Sequence, residues 1–482
     1  MNHRGSRTIS RNDAVGLSKT RYHLLKPIIN NINIKKKREI DINNIKRRKE
    51  INNFKPTNSQ ELAINEVRNW LDSPTKPFWI SGLAGTGKST IIPMIIKALN
   101  FSDHDYVICA PSNKAVSVLR TKGFNNALTV AKIARTAKVS GPQADRFRQL
   151  NKQLKNISSL SSQEIKSINK ELSELRGNGE VYWTHSSNTA DKCKVIIVDE
   201  ASMLSNKDAK ALIDSQSPIL LIGDYGQLLS VNTSGNKEDS SYLEKKKPDV
   251  ELTEIMRQQF LGNIIQASRL VRKSPKYLFS DLTPEIEKEK NGEVIFKTTN
   301  LTKELIEEHK IQQVLAYSNN VCFNHIAKVR KDKPSTPIAG DRLLAYSTSG
   351  PVIKGQIYEV MDCSDNKNGL LAILLRDETG LEEMLIDTLV PKELFLKSHS
   401  NKQRLQLLGN ANSNKSVPGA EALNYMYFAD CITIHKSQGS EWDNVAVYLP
   451  KSSFYVNIPD DSLSRLKYTA ITRAKKKLIV VI

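Results

Sequence analysis

The stretch PFWISGLAGTGKSTIIPMIIKALN, residues 77–100, decides the fold. Its opening, PFWISG, is an apolar run ending on glycine, the pattern of a strand buried on both faces of a parallel sheet. Its close, TIIPMIIKALN, has the apolar content of a covering helix. Between them GLAGTGKST (82–90) fits G-x-x-x-x-G-K-[ST] in the strand-to-helix context that the pattern requires. Gly82, Gly85 and Gly87 let the backbone curl until its N–H groups converge on phosphate oxygens. Lys88 can then reach the terminal phosphates, and Ser89 can offer its hydroxyl to Mg²⁺. Thr86 and Thr90, in the same segment, are nucleotide-binding candidates with them. A glycine-rich turn can match by chance, but the strand before and the helix after weigh against that.

Outward from this segment the same texture repeats. YVICAP (106–111), KVIIVDE (194–200) and PILLIGD (218–224) are apolar runs that end at polar or glycine-rich junctions. They read as further strands of one parallel sheet, whose ligands gather at the carboxyl ends. At one such end Asp199 is placed to hold Mg²⁺ and Glu200 to orient or deprotonate a water. Joined to the phosphate loop, the two acids point to Mg²⁺-dependent hydrolysis of a nucleoside triphosphate. A second series, QQVLAYSN (312–319), NVAVYL (444–449) and KLIVVI (477–482), predicts a second α/β sheet. Between its members, residues 340–394 change to period-two patterns such as KGQIYEVMDC and LLAILLRDE, which predict a small inserted antiparallel barrel. The polar, Gln- and Lys-rich segment 141–175 predicts a helical excursion from the first domain.

Composition narrows the partners. The chain has 482 residues, 39% apolar and 25% charged, with a net charge of +20. Half of that charge lies in the first 50 residues, which hold 14 Lys and Arg against 4 Asp and Glu. Such a balance suits a polyanionic partner, nucleic acid before membrane surface. No run approaches the roughly 20 apolar residues that span a bilayer. Cys109, Cys193, Cys322, Cys363 and Cys431 are scattered without a CxxC pair, which fits a reducing compartment better than a disulfide framework. The first residues carry no apolar h-region, so no secretory leader is expected. Residues 1–55 are read as a basic arm, flexible or partly helical, that adds nonspecific affinity for polyanions.

From about Thr57 onward the ordered motifs resemble those of the superfamily 1 DNA helicases, in the branch of RecD and the bacteriophage Dda helicase. PTNSQELAINEV (56–67) is similar to the family's adenine-reading motif, which implies a base contact for Gln60. GDYGQL (223–228) resembles the segment in which Gln227 would sense the γ-phosphate, and ELTEIMRQ (251–258) the segment in which Arg257 would touch it. TIHKSQGSEWD (433–443) matches TxHxxQGxE, implying strand-backbone contacts for Thr433, His435 and Lys436 and a place near the nucleotide for Gly439 and Glu441. APSNKAV (110–116) resembles a strand-end loop that binds single-stranded DNA, through Pro111, Asn113 and Lys114. TVAKI (129–133) stands where the family has T-[IV]-H; Ala131 replaces the histidine, while Thr129 could still meet phosphate. YTAITRA (468–474) resembles the last motif, which makes Arg473 an arginine finger.

The resemblance implies two RecA-like domains that close on ATP and step along a strand. Domain 1 would cover 56–235 with an insertion at about 136–190; domain 2 would cover 236–339 and 395–482, with an SH3-like barrel at 340–394. It implies 5′→3′ movement on single-stranded DNA and a strand-separating wedge, for which VYWTH (181–185) offers Tyr182 and Trp183. Its implied partners are single-stranded DNA, duplex junctions and single-strand-binding or replication proteins, for a monomer in the nucleoid. An RNA helicase of the same superfamily and a helicase-derived recombination or packaging subunit remain open. The Asn, Ile and Lys bias hints at a phage or organelle genome.

Overall fold

In the computed structural model the described residues are 55–134, 136–139, 146, 149–150, 171, 181–184, 193–215, 217–229, 240–254, 263–273, 294–348, 352–366, 369–378, 385–410, 423–449 and 459–481. The chain begins with α1 (Asn58–Asp72), closed by a reciprocal capping box: Thr57 Oγ1 accepts from the Gln60 N–H and Gln60 Oε1 accepts from the Thr57 N–H. Then come β1 (Phe78–Gly82), α2 (Lys88–Ala98), β2 (Tyr106–Ala110), α3 (Asn113–Thr121), β3 (Leu128–Thr129), β4 (Thr136–Val139), β5 (Val181–Thr184), β6 (Val195–Val198), β7 (Ile219–Gly223) and β8 (Val250–Leu252). All of these strands but β4 and β5 form one sheet, β3-β2-β6-β7-β1-β8, with every pairing parallel.

The continuous apolar runs have a simple cause. Alternate residues of each strand face opposite sides, and both sides are covered. Ile80, Ile197, Leu220 and Ile222 pack toward α1, α2 and α3, among Val67, Ile91, Ile95 and Leu119. Trp79, Ile196, Val198 and Leu221 face the other layer, against Ile133, Leu204 and Leu212. β4 and β5 pair antiparallel as a separate two-stranded ribbon.

A second parallel sheet follows. After α4 (Asn263–Lys273), β9 (Val294–Thr298) and β10 (Gln313–Ala316) lead to α5 (Asn319–Val329), and β16 (Cys431–Thr433), β17 (Trp442–Tyr448), α6 (Asp460–Ile471) and β18 (Ala474–Val481) complete it in the order β16-β10-β17-β18-β9. Inserted between β10 and β16 are β11 (Arg342–Ala345), β12 (Ile357–Asn366), β13 (Leu370–Asp377), β14 (Ile386–Pro391) and β15 (Met426–Phe428). They make an antiparallel sheet ordered β14-β13-β12-β11-β15.

This third sheet extends beyond the 340–394 expected for an inserted barrel. Its edge strand β15 comes from beyond that segment, pairing Leu343 with Phe428. An isolated bridge between Leu389 and Leu423 links its two edges among the described residues. The sheet is also not a free module. Phe395 and Tyr427 stack at 5.9 Å, Tyr427 meets Phe323 of α5 edge-on at 5.2 Å, and one apolar core runs through both sheets. Burying aromatic rings on both sides of a junction holds two layers together more firmly than polar contacts do.

The expected basic arm falls outside the described residues, apart from Lys55. So does most of the polar excursion.

Candidate nucleotide and nucleic-acid cleft

The phosphate loop leaves β1 at Gly82, where an added Cβ would collide with Thr86 Oγ1. It turns through Gly85 and Gly87, whose φ of 83° and 81° suits glycine, and enters α2 at Lys88. Thr86 Oγ1 donates to the Leu83 carbonyl and Thr90 Oγ1 to that of Gly87, so both hydroxyls brace the loop. Lys88 Nζ donates to the carbonyls of Gly82 (2.7 Å) and Leu83 (2.9 Å) and pairs with Asp224 Oδ2 at 3.2 Å. The Ser89 side chain lies outside the described residues.

Because β7 lies between β6 and β1, the strand ends carrying Asp199, Glu200 and Asp224 sit beside this loop. Asp199 Oδ1 accepts from the Glu200 N–H at 3.0 Å, and Glu200 itself takes a left-handed φ of 52°. Strain of that kind in a non-glycine residue gathers at functional turns. Glu200 Oε2 is buried and has no hydrogen-bond partner among the described residues. Burial pushes its carboxyl above the usual range and Asp199 adds to the rise, while Arg473 and Lys88 oppose it. A carboxyl held that way is a better proton acceptor than a solvated one.

The second sheet supplies the facing wall. Arg473 follows α6, is 2% exposed, and is fixed by three donations: Nε to the Thr469 carbonyl (3.0 Å), Nη1 to that of Ser440 (3.0 Å) and Nη2 to Thr472 Oγ1 (3.2 Å). A cleft of about 780 Å³ opens between the walls, lined by Lys88, Glu200 and Gln227 on one side and Gly439, Glu441 and Arg473 on the other. Lys114 lines it too, as do Gln356, just before β12, and Glu378, just after β13.

The strand-contact candidates form a neighbouring group. Pro111, Asn113 and Lys114 sit where β2 runs into α3, and Thr129 is in register with Ala110 on the adjoining strand. Thr433, His435 and Lys436 occupy the end of β16 and its following turn. The two groups meet: Lys114 Nζ donates to the Lys436 carbonyl at 3.4 Å. Burial lowers Lys114 to about 8 and Lys436 to about 7, and it lowers His435. Lys436 Nζ stands 3.5 Å from the centroid of the Tyr346 ring, which favours the charged form.

Gln60 stands apart from these groups. Its Oε1 is used in the capping box, it does not line the cleft, and its buried Nε2 has no hydrogen-bond partner among the described residues. Arg257 lies outside the described residues. So do the side chains of Tyr182 and Trp183, although their backbones form β5. Two buried residues beside the cleft were not among the expected site residues. Asp224 ends an apolar strand just as Asp199 does, a signal that could have found it. Tyr468 opens the YTAITRA stretch, but its partners lie about 240 and 380 positions away, so no local pattern shows its contacts.

A phosphate loop at the end of one parallel sheet, facing a buried arginine from a second, defines a P-loop protein with two α/β domains. Residues 58–278 match the model of an AAA domain, and residues 428–481 that of a UvrD-like helicase C-terminal domain. RecBCD enzyme subunit RecD of Buchnera aphidicola is 22% identical over 452 residues, covering 83% of this chain and 69% of its own. The ATP-dependent DNA helicase dda of Enterobacteria phage T4 is 27% identical over 207 residues, 42% of this chain and 39% of its own. An uncharacterized protein of Methanocaldococcus jannaschii is 24% identical over 485 residues, 88% of this chain but only 37% of its own. The chain therefore spans between 37% and 69% of the length of these relatives. Bacteroides Pif1 bound to ssDNA superposes with a TM-score of 0.45 at 14% identity, covering 89% of this chain and 92% of that one, a likeness too loose to inform any residue. By these family matches and relatives, the chain is similar to the superfamily 1 helicases of the RecD and Dda branch. No helix among the described residues is long and apolar enough to cross a membrane.

Proposed function

We propose that the chain is an ATP-dependent DNA helicase that moves 5′→3′ along single-stranded DNA and unwinds duplex. The observation that carries this is the single cleft in which Lys88, Glu200 and Gln227 of one sheet face Arg473 of the other. In this reading the phosphate loop binds ATP through Gly82, Gly85, Thr86, Gly87 and Thr90, and Lys88 turns from Asp224 to the terminal phosphates. Glu200 takes the proton of the attacking water, its raised pKa suiting the task. Arg473, with Arg257, places positive charge on the γ-phosphate as charge builds there; arginine fingers are worth on the order of 10³–10⁵ in rate. Gln60 reads the base, and Gly439 and Glu441 border the nucleotide.

Magnesium fits the acidic end of the cleft. Asp199 stands there beside Glu200, whose Oε2 has no partner among the described residues, and those residues hold no cluster of three His, Cys, Asp or Glu that would make a closed metal site. An ion held by Asp199 and Ser89 would take its other ligands from phosphates and water, as Mg²⁺ usually does. It would neutralise charge on the β- and γ-phosphates.

Two domains that share one nucleotide part when it is hydrolysed, and a strand lying across both is then moved. Pro111, Asn113, Lys114 and Thr129 would hold it on one domain and Thr433, His435 and Lys436 on the other. Such contacts address the backbone, so binding should be indifferent to sequence and sensitive to salt. The third sheet takes the place of the branch's SH3-like subdomain, and the β4-β5 ribbon that of its wedge, with Tyr182 and Trp183 as the stacking pair. The partners are single-stranded DNA and fork junctions, met by a monomer in the nucleoid.

The test is unwinding of duplexes with 5′ or 3′ overhangs, beside ATPase assays with single-stranded DNA or RNA. Expected are unwinding from 5′ overhangs and stimulation by DNA, both abolished in Lys88→Ala. Equal stimulation by RNA, or full ATPase activity in Lys88→Ala, would overturn the reading.

A further inference from the structure

Asp224 is a buried charged group beside the phosphate loop to which the hydrolysis reading gives no direct part. It is fully buried; Oδ1 accepts from the Gly226 N–H at 2.8 Å, and Oδ2 accepts from both Lys88 Nζ at 3.2 Å and the Tyr468 hydroxyl at 2.9 Å. Tyr468 belongs to α6, on the second sheet, and is itself fully buried. The same hydroxyl accepts the N–H of Ala84, in the phosphate loop, at 2.6 Å. One tyrosine oxygen therefore joins the phosphate loop, the turn after β7 and a helix of the other domain.

That turn is held by the second domain along its length. Arg465 of α6 donates to the carbonyls of Tyr225 and Gln227, Thr469 Oγ1 accepts the Leu228 N–H at 2.9 Å, and Gln438 donates to the Leu228 carbonyl at 2.7 Å. Gln438 lies two residues from Lys436, and Thr469 offers its carbonyl to Arg473. A shift of the turn would thus be felt at the proposed finger and at the proposed strand-contact loop together.

We propose that Asp224 and Tyr468 are positioning residues that relay occupancy of the phosphate loop to the second domain, an inference that rests on the nucleotide reading above. The reason is electrostatic. Lys88 has two uses: paired with Asp224 and the loop carbonyls, or paired with phosphate. When phosphate draws the ammonium away, a fully buried carboxylate is left with two neutral donors. A buried anion deprived of its cation is costly, so the tie to Tyr468 must tighten or move. Ala84, whose N–H shares that hydroxyl, moves with it. Burial, and then Asp224, raise the Tyr468 pKa well above its ordinary value, so the hydroxyl keeps the proton that it donates.

The experiment uses the full chain, a fluorescent ADP analogue with Mg²⁺, and oligothymidylate of fixed length. Wild type should bind oligothymidylate with affinities that differ on the order of five- to 150-fold between the empty and the nucleotide-saturated states, the usual range of coupling between sites. In Tyr468→Phe, which keeps the ring and removes the relay atom, that ratio should fall below about twofold, with both probes still bound. Asp224→Asn, which keeps shape and removes the charge, should do the same and serves if the first variant does not fold. A merely structural tyrosine would lower stability and leave the ratio alone. Retention of the wild-type ratio in both variants, or a wild-type ratio of one, would overturn the relay and leave the nucleotide reading standing. Failure of wild type to bind the ADP analogue would instead sink that reading, and the relay with it.

Discussion

Lys436 condenses the chemistry of the proposed strand-contact loop into one titration. Burial lowers its pKa to about 7 from the usual 10.5, with Cys322 opposing the drop and Lys354 adding to it. Between those values the unfolded chain carries a proton that the folded one lacks, so this group makes stability rise with pH across the window. Binding has the opposite sign. A phosphate beside the amine favours the ammonium, so binding takes up a proton and weakens as pH rises above about 7, at most roughly tenfold per unit. Anisotropy titrations of oligothymidylate from pH 6.5 to 9 should show that decline. Lys436→Arg, which stays charged, should flatten it, leaving only the share of Lys114, lowered to about 8. Arg473 tests the opposite wall. Its three donations need a planar fork that a lysine lacks, so Arg473→Lys should bind the ADP analogue normally yet lose on the order of 10³-fold in ATP turnover. Near-normal turnover would return Arg473 to the ordinary cations that follow it.

The elements differ in how openly the chain declares them. β1, β6 and β7 are short apolar runs buried along their whole length, and their ends carry the phosphate loop and the acids, so position and chemistry could be read together. β15 could not. MYFADCIT holds β15 and β16 with only Ala429 and Asp430 between them, one strand for the antiparallel sheet and one for the parallel sheet, and no periodicity marks the change. Gln60 was legible as a helix-start residue or as a base reader, and its sequence pattern serves both. The Lys88–Asp224–Tyr468 contacts were hidden for another reason: they join strand end, loop and distant helix, and local patterns do not encode such pairings. The junction of α5 with the third sheet depends on a shorter-range buried pair. Arg330 Nη1 and Nη2 meet the two Asp341 oxygens at 2.7 Å each, both residues buried, with the guanidinium 3.6 Å over Phe428. Removing one partner leaves the other charge buried, so Arg330→Ala should cost about 3–5 kcal/mol in a denaturation midpoint. Burial acts to raise the Asp341 pKa, but the bonds from Arg330 and the Ile338 N–H outweigh it and hold it below 3.8. That contribution is present above the unfolded carboxylate pKa and is lost as pH falls through the lowered one.

At the scale of the whole molecule, charge and nucleotide site are separable. Half of the net charge of +20 lies within the first 50 residues, while the cleft draws its lining from Ala84 through Lys475. A basic segment that touches phosphates adds to affinity by releasing counterions, with a slope of about 0.7 per single-strand phosphate in log K against log salt. If residues 1–55 neutralise about three phosphates, their removal should reduce the magnitude of that slope by roughly 2. Affinity for oligothymidylate should fall most at low salt, where those contacts are strongest, and converge on that of the full chain as salt rises. The ADP analogue should bind both proteins equally, because the described lining of the cleft begins at Ala84. Titrations between 50 and 300 mM NaCl distinguish the outcomes. A parallel pair of lines would assign the charge of residues 1–55 to some role other than holding nucleic acid, whereas a shallower line for the shortened chain would make them an electrostatic tether on the proposed motor.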